Sequence, residues 1–230
     1  QSFSTKGFAL LFDENLKNNS ASNFLKQITS AFNPSVFIVG YNHFFGYKKE
    51  GNLAFLKKKQ EMFSFEVIQI AEMSHPIQGK ISSSKIRDLL TQGKIKQANT
   101  VLGYKYSLEG KVIKGKGLGK EINFPTANLK INKNIKLLPK QGVYLIDSLI
   151  AGKVFLGMCN IGLRPTVSKS NKLSVEVHFF DLNCNLYGEK INISFLNFIR
   201  DEAFFNNLHA LKKQLELDKN KCLEYSINNV

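Results

Sequence analysis

Apolar residues in the first hundred positions follow two rhythms. Phe24, Leu25, Ile28 and Phe32 recur at helical spacing within "SNFLKQITSAF", and "NLAFLKKKQEMF" carries Leu53 and Leu56 down adjacent helical faces. Between and around them, "FALLF" (8–12), "SVFIVG" (35–40) and "FEVIQI" (65–70) read as short buried strands. Such alternation predicts an α/β segment with a parallel sheet flanked by helices. Two short helices come next: "SSSKIRDLLTQG" opens on serine caps and stops at Gly93, and "KIKQANTVLG" stops at Gly103. The texture then changes, and a domain boundary is expected there, dividing 1–103 from 104–230. From Tyr104 to Ile199 the pattern is strand after strand ("YSLEGKVIKG", "GVYLIDSLI", "KVFLGMCNIG", "KLSVEVHFF", "INISFLNFI"), separated by Gly, Asn and Pro turns that include Ala151–Gly152. Five or six strands over that length predict a small antiparallel barrel, whose closure removes exposed edges. An amphipathic helix from Asn207, with Leu208, Leu211 and Leu215 on one face, is expected to pack over it.

Composition narrows the class. A hydrophobic fraction of 43% excludes wholesale disorder, and the absence of a long apolar run excludes a membrane-spanning helix. The opening "QSFSTKG" lacks the basic and apolar segments of a signal peptide. Cys159, Cys184 and Cys222 are odd in number and form no Cys-x-x-Cys pair, so they read as isolated small residues in a reducing compartment, the cytoplasm. The net charge of +14 suits phosphorylated small molecules. Its lysines are scattered without a stripe, so no nucleic-acid partner is expected. Of 32 basic residues only Arg87, Arg164 and Arg200 are arginine, which marks three places where a planar fork is wanted.

Candidate chemistry concentrates in "IKGKGLGKEINFPTANLKI". Gly115, Gly117 and Gly119 permit close backbone approach to phosphates, with Lys114, Lys116 and Lys120 beside them; the same residues also suit a plain hairpin tip. Pro125 stiffens the next few residues and presents Thr126 and Asn128 on one side. Hydroxyl and amide oxygens are hard ligands, suited to a magnesium ion that phosphates also hold, although an ordinary turn entering a strand has the same spacing. In "LSVEVHFFDL", Ser174, Glu176, His178 and Phe180 share the face opposite an apolar row. That face reads as solvent-exposed, or, if it lines a pocket, Glu176 can take a proton from a substrate alcohol, with His178 the weaker base. Arg164 suits either a phosphate contact or a loop-pinning pair with Asp201 or Glu202, and the second is preferred. Ser83 and Ser84 at a helix start, with Arg87 one turn on, suit an anion or a simple cap.

The ordered set Gly115–Leu129, "GVYLI", "CNIGLRPT", "VEVHFFDLNCNLYGEKI" and "FLNFIRDEAFFNNLHALKKQL" resembles the bacterial riboflavin kinases. The resemblance implies a six-stranded Greek-key barrel that transfers phosphate from ATP to riboflavin, giving FMN. It places Thr126 and Asn128 at magnesium and phosphates, Glu176 as general base, and the glycine loop, Pro125 included, over ATP. Asn123 and Lys120 depart from the family's frequent glycine and arginine. Segments "VFIVGYNHFFGYKKEGN" and "ISSSKIRDLLTQGKIKQANTVLGYKYSLEG" resemble the nucleotidyltransferase domain fused to these kinases, which makes FAD from FMN and ATP. There Asn42, Ser83, Ser84 and Arg87 fall on nucleotide-binding positions, with Ser84 in place of the usual threonine. That domain's opening strand and His-x-Gly-His site do not occur, and the chain opens on Gln1, so a start inside a longer bifunctional enzyme is expected. The alternative from another class is a flavin-binding barrel without catalysis.

Overall fold

Asp13, Ser20 and Asn52 each accept a hydrogen bond from the backbone amide three residues on, and a helix starts after each. Such caps contribute about 1 kcal/mol apiece. The helices are α1 (Glu14–Lys17), α2 (Ala21–Phe32) and, after strand β1 (Val36–Gly40), α3 (Leu53–Phe63). Strand β2 (Glu66–Ile70) then pairs parallel with β1, Ile38 opposite Ile68. This computed structural model describes residues 6–77, 79–115, 118–132, 136–164 and 172–227; of Leu118, Lys120, Arg164 and Lys172 it describes the backbone. The chain divides into two compact units that meet between Ser74 and His75.

In the first unit Leu25, Val39, Leu56 and Phe65 form the core, with Phe37 and Val67 against it. The opposite face of the two-stranded sheet is open: Ile38 is 67% exposed, and Val36, Ile68 and Ile70 are exposed beside it. Residues 8–12, expected as a buried strand, form none, and Leu11 is 83% exposed. The apolar run is present, but among the described residues it has no ladder to supply its backbone hydrogen bonds.

The second unit begins with a short ribbon, β3 (Ser74–His75) with β4 (Gly79–Lys80), then α4 (Ser83–Thr91) and α5 (Ile95–Leu102). Strands β5 (Ser107–Ile113), β6 (Ala127–Ile131), β7 (Gly142–Ile150), β8 (Lys153–Arg164), β9 (Lys172–Phe179) and β10 (Lys190–Arg200) close a barrel in the order β10-β5-β6-β9-β8-β7. One helical turn, α6 (Leu118–Glu121), lies between β5 and β6, where the glycines suggested a hairpin tip. The β7–β8 turn takes positive φ at Ala151 and Gly152, as expected for a tight antiparallel connection.

Inward residues such as Leu108, Ile146, Ile161, Val177 and Phe195 fill the barrel. Ile95, Ala98 and Val101 of α5 join the same cluster, and the Asn99 amide donates to the Phe195 carbonyl at 2.8 Å. Thus α4 and α5 belong by packing to the barrel unit, although the sequence texture changes only at Gly103. On the outer wall, α7 (Leu208–Ile227) covers Leu145, Met158 and Phe180 with Leu211, Leu215 and Cys222. Leu208, grouped with that face in the sequence pattern, stays exposed.

Candidate functional site

Pro125 has no N–H to give, and the β6–β9 ladder begins two residues later, with Ala127 opposite Val177. The next pair is Asn128 with Glu176, and on the far side of β9 Glu176 stands opposite Asn160 of β8. Directly opposed residues point to the same face, so Asn128, Glu176 and Asn160 form one polar row across three strands. Their neighbours Leu129, Val177, Cys159 and Ile161 point into the barrel, so the row lies on the outer wall. Asn128 is buried, and its Oδ1 has no hydrogen-bond partner. An orphaned buried acceptor of this kind costs on the order of 1–3 kcal/mol, which a ligand can recover.

Two cavities meet at this row. One, of about 280 Å³, runs between the outer wall and α7. Its apolar lining is Ile122, Phe124, Val143, Met158, Phe205, Leu211 and Leu215, and Glu176, His178, Asn160 and Thr126 supply the polar edge. The other, of about 390 Å³, lies between Thr126, Ala127, Val112 and Phe179 and the loop 182–187. Thr126 lines both.

The face carrying Glu176 is not the solvated one that alternation suggests. His178 is buried, its ring 5.0 Å from that of Phe124 and 5.9 Å from that of Phe180. Its Nδ1 lies 2.8 Å from the Pro125 carbonyl, which can only accept, so Nδ1 carries the proton. Burial lowers the imidazole pKa, the Pro125 bond opposes this, and the Lys219 charge lowers it further. A neutral ring that already gives its Nδ1 proton to the backbone is a poor general base, and Glu176 is the better placed group.

Arg200 shows what one of the three arginines is for. Its Nε and Nη2 donate to the carboxylate of Asp218, at 2.7 Å for the shortest bond, and Gln214 donates to the same carboxylate at 2.8 Å. Asp218 is fully buried. This pairing clamps α7 to the end of β10 and so holds one wall of the apolar cavity; periodicity alone gave no hint of Asp218. The Arg164 side chain lies outside the described residues. Cys159 and Cys222 are buried as expected, but Cys184 is exposed and lines the second cavity.

Of the glycine loop, Lys116, Gly117 and the Lys120 side chain lie outside the described residues. A Cβ added at Gly115 would overlap the Asn128 amide, and one at Gly119 would overlap the Phe124 carbonyl. The loop therefore rests directly on the Pro125–Asn128 segment, an approach open only to glycine. Asn123 adopts φ of 61°, the left-handed region where glycine is favoured and asparagine tolerated. In α4, Ser82 rather than Ser83 is the cap, and Arg87 Nη2 reaches Ser84 Oγ at 3.4 Å. Asn42, exposed after β1, lies in the other compact unit.

Residues 102–226 match the riboflavin kinase family model, and residues 5–85 match the FAD synthetase model. The chain is 39% identical over 210 residues to a bifunctional riboflavin kinase/FMN adenylyltransferase of Buchnera aphidicola subsp. Schizaphis graminum, covering 90% of this chain and 67% of that protein. Against the protein of the same name from Bacillus subtilis, identity is 33%, over 96% of this chain and 70% of the relative. A crystal structure named as a macrolide-efflux protein from Streptococcus pneumoniae superposes with a TM-score of 0.80 at 30% identity, covering 91% of this chain and 66% of that one. No helix among the described residues is long and apolar enough to cross a membrane. The chain spans about two thirds of the length of these relatives. With a closed barrel whose polar row, glycine loop and terminal helix fall inside the matched region, the chain belongs to the bifunctional riboflavin kinase/FMN adenylyltransferase family.

Proposed function

We propose that residues 104–230 catalyse transfer of the ATP γ-phosphoryl group to the terminal ribityl hydroxyl of riboflavin, giving FMN and ADP. The observation that carries this reading is Thr126, which lines both cavities and stands beside the row of Asn128 and Glu176. The apolar cavity under α7 suits a flat three-ring flavin lying against Ile122, Phe124 and Met158. The cavity beside Asn183 and Asn185 suits the nucleotide, with Gly115, Gly119 and the lysines of their loop near its phosphates. Transfer then takes place across Thr126. A hydroxyl oxygen of riboflavin bonds to the γ-phosphorus as the bridging oxygen leaves with ADP, and Glu176 accepts the hydroxyl proton.

Thr126 and Asn128 fit a magnesium ion, because a hydroxyl and an orphaned buried amide oxygen are hard ligands without competing protein partners in the case of Asn128 Oδ1. When bound, the ion supplies neutralisation of the phosphate charge. The protein's own part is placement: a proline-stiffened segment holds the oxygens, and two cavities hold the reactants in line.

For residues 1–103 we assign the nucleotide-binding part of an FMN adenylyltransferase domain, with Asn42, Ser83, Ser84 and Arg87 toward ATP. The chain contains no His-x-Gly-His motif, so FAD formation is assigned to the longer enzymes that these residues resemble. The free cysteines agree with a cytoplasmic enzyme of small-molecule substrates.

Incubation with riboflavin, ATP and magnesium, followed by chromatographic separation of flavins, tests the reading. FMN is expected from the wild type, and Glu176→Gln is expected to bind riboflavin while losing about two or more orders of magnitude in turnover. Riboflavin bound but unconverted by the wild type would favour the non-catalytic barrel instead.

A further inference from the structure

We infer that His178 is a positioning residue, fixing Thr126 in place through the Pro125 carbonyl. This rests on the kinase reading of the Thr126 site and adds a residue that the motif alone does not assign.

A proline interrupts a ladder. The β6–β9 pairing ends at Ala127 and Val177, and the chain N-terminal to it must still be tied down, since Thr126 separates the two cavities. Pro125 cannot donate, so no ordinary ladder pair can extend the strand there. Its carbonyl is taken up by a side chain from the neighbouring strand: His178 Nδ1, at 2.8 Å. The ladder thus continues for one further rung, through an imidazole rather than a peptide.

The imidazole is itself held. Phe124 and Phe180 flank it, and Lys219 of α7 stands over the Phe180 ring at 5.5 Å. His178 is buried, so its bond to Pro125 forms without competing water. Two residues along the same face, Glu176 is carried by the same strand. A single rigid strand therefore sets both the proton acceptor and, through His178, the segment on the other side of the reaction. The shift that matters is small, because misplacement of reacting groups by about 1 Å can cost on the order of a hundredfold in rate.

Three substitutions separate positioning from base chemistry and from simple packing. His178→Phe keeps a ring and removes the donor. His178→Asn places an amide N–H near the Nδ1 position, and His178→Gln places it near Nε2 instead. In riboflavin phosphorylation assays, His178→Phe is expected to lower kcat by about a hundredfold with the riboflavin KM changed by less than about twofold. His178→Asn is expected to restore kcat to within about fivefold of wild type, and His178→Gln is not. If His178→Phe does not fold, the Asn and Gln pair carries the same contrast.

A second readout needs no turnover. Calorimetry of ADP binding at fixed magnesium is expected to show weaker binding for His178→Phe or His178→Gln, and near wild-type binding for His178→Asn. Nitrogen NMR of the wild-type imidazole is expected to show the Nδ1–H tautomer. Equal loss in Asn and Gln variants, tracking melting temperature, would make the role structural. An Asn variant as inactive as Phe, yet binding magnesium and ADP normally, would make His178 the base. A Phe variant with wild-type kinetics and binding removes the role altogether. A wild type that turns over no riboflavin but shows the binding contrast overturns the kinase reading and leaves the His178 rung standing; loss of the contrast in an active enzyme does the reverse.

Discussion

Asp218 offers the sharpest test of how α7 is attached. Its carboxylate is fully buried and receives Arg200 Nε, Arg200 Nη2 and Gln214 Nε2, while Arg200 Nη1 goes on to the Asp201 carbonyl at 2.9 Å. An exposed ion pair contributes about 0–1 kcal/mol, but deleting one partner of a buried pair costs about 3–5 kcal/mol, because the other charge is left without compensation. Arg200 is largely buried, so the larger range applies to Asp218→Ala. At roughly 2–4 °C per kcal/mol for a unit of this size, the melting temperature should fall by about 6–20 °C. Since Leu211 and Leu215 of the same helix line the apolar cavity, riboflavin KM should rise as well. Urea titration followed by amide exchange of β8 and α7 isolates the barrel unit from the other. The double variant Arg200→Met/Asp218→Leu removes both charges and should recover most of the loss. A loss below about 1 kcal/mol for Asp218→Ala, or a double variant no better than the single one, would refute the clamp.

Thiol labelling in the native state should modify Cys184 rapidly and leave Cys159 and Cys222 slow, with all three reacting in urea. MgATP should slow Cys184, which lines the cavity assigned to the nucleotide; unchanged labelling would move the nucleotide elsewhere. Burial, with the Asp218 charge adding to it, pushes the Cys222 thiol up to about 12, and burial holds Cys159 well above the ordinary range. Both thiols are thus protonated in the fold, so the stability they carry is complete below their ordinary pKa near 9 and is lost as pH rises toward 12; Cys222→Ala should flatten that alkaline decline in melting temperature. At Asn123, where φ is 61°, replacement by glycine should change stability by less than about 0.5 kcal/mol, whereas alanine should cost about 1 kcal/mol. Equal behaviour of the two in denaturant titration would mean that the left-handed turn is not maintained in solution.

Strand alternation was readable because it is local. "GVYLIDSLI" and "INISFLNFI" announce β7 and β10 within their own residues, and the tight Ala151–Gly152 turn comes from residue type. Which strands meet is not local. Closure depends on β10 reaching back to β5, Ile193 opposite Leu108, across more than half of the barrel unit. The failed strand at 8–12 has the same physical origin, since an apolar run favours burial but does not supply a partner. The solvated reading of Glu176, His178 and Phe180 failed for a related reason: α7, some forty residues later in the chain, covers that face.

The site shows a finer division. Thr126, Asn128 and Glu176 were visible as residue types at telling spacings, because oxygen ligands and a carboxylate are legible one by one. The rung that ties Thr126 down was not, since it joins a carbonyl, which every residue has, to a histidine whose partner lies 53 positions away. Asn123 shows the converse. Its departure from glycine looked like a weakness in the nucleotide loop, yet the backbone there asks only for positive φ, which asparagine can supply. The neighbours bear the stricter demand: Gly119 lies against the Phe124 carbonyl and Gly115 against the Asn128 amide, so a side chain at either would push the loop off the strand it rests on. What the loop requires of its sequence is therefore set by contact at two glycines and by conformation alone at the joint, and only the first of these rules out substitution.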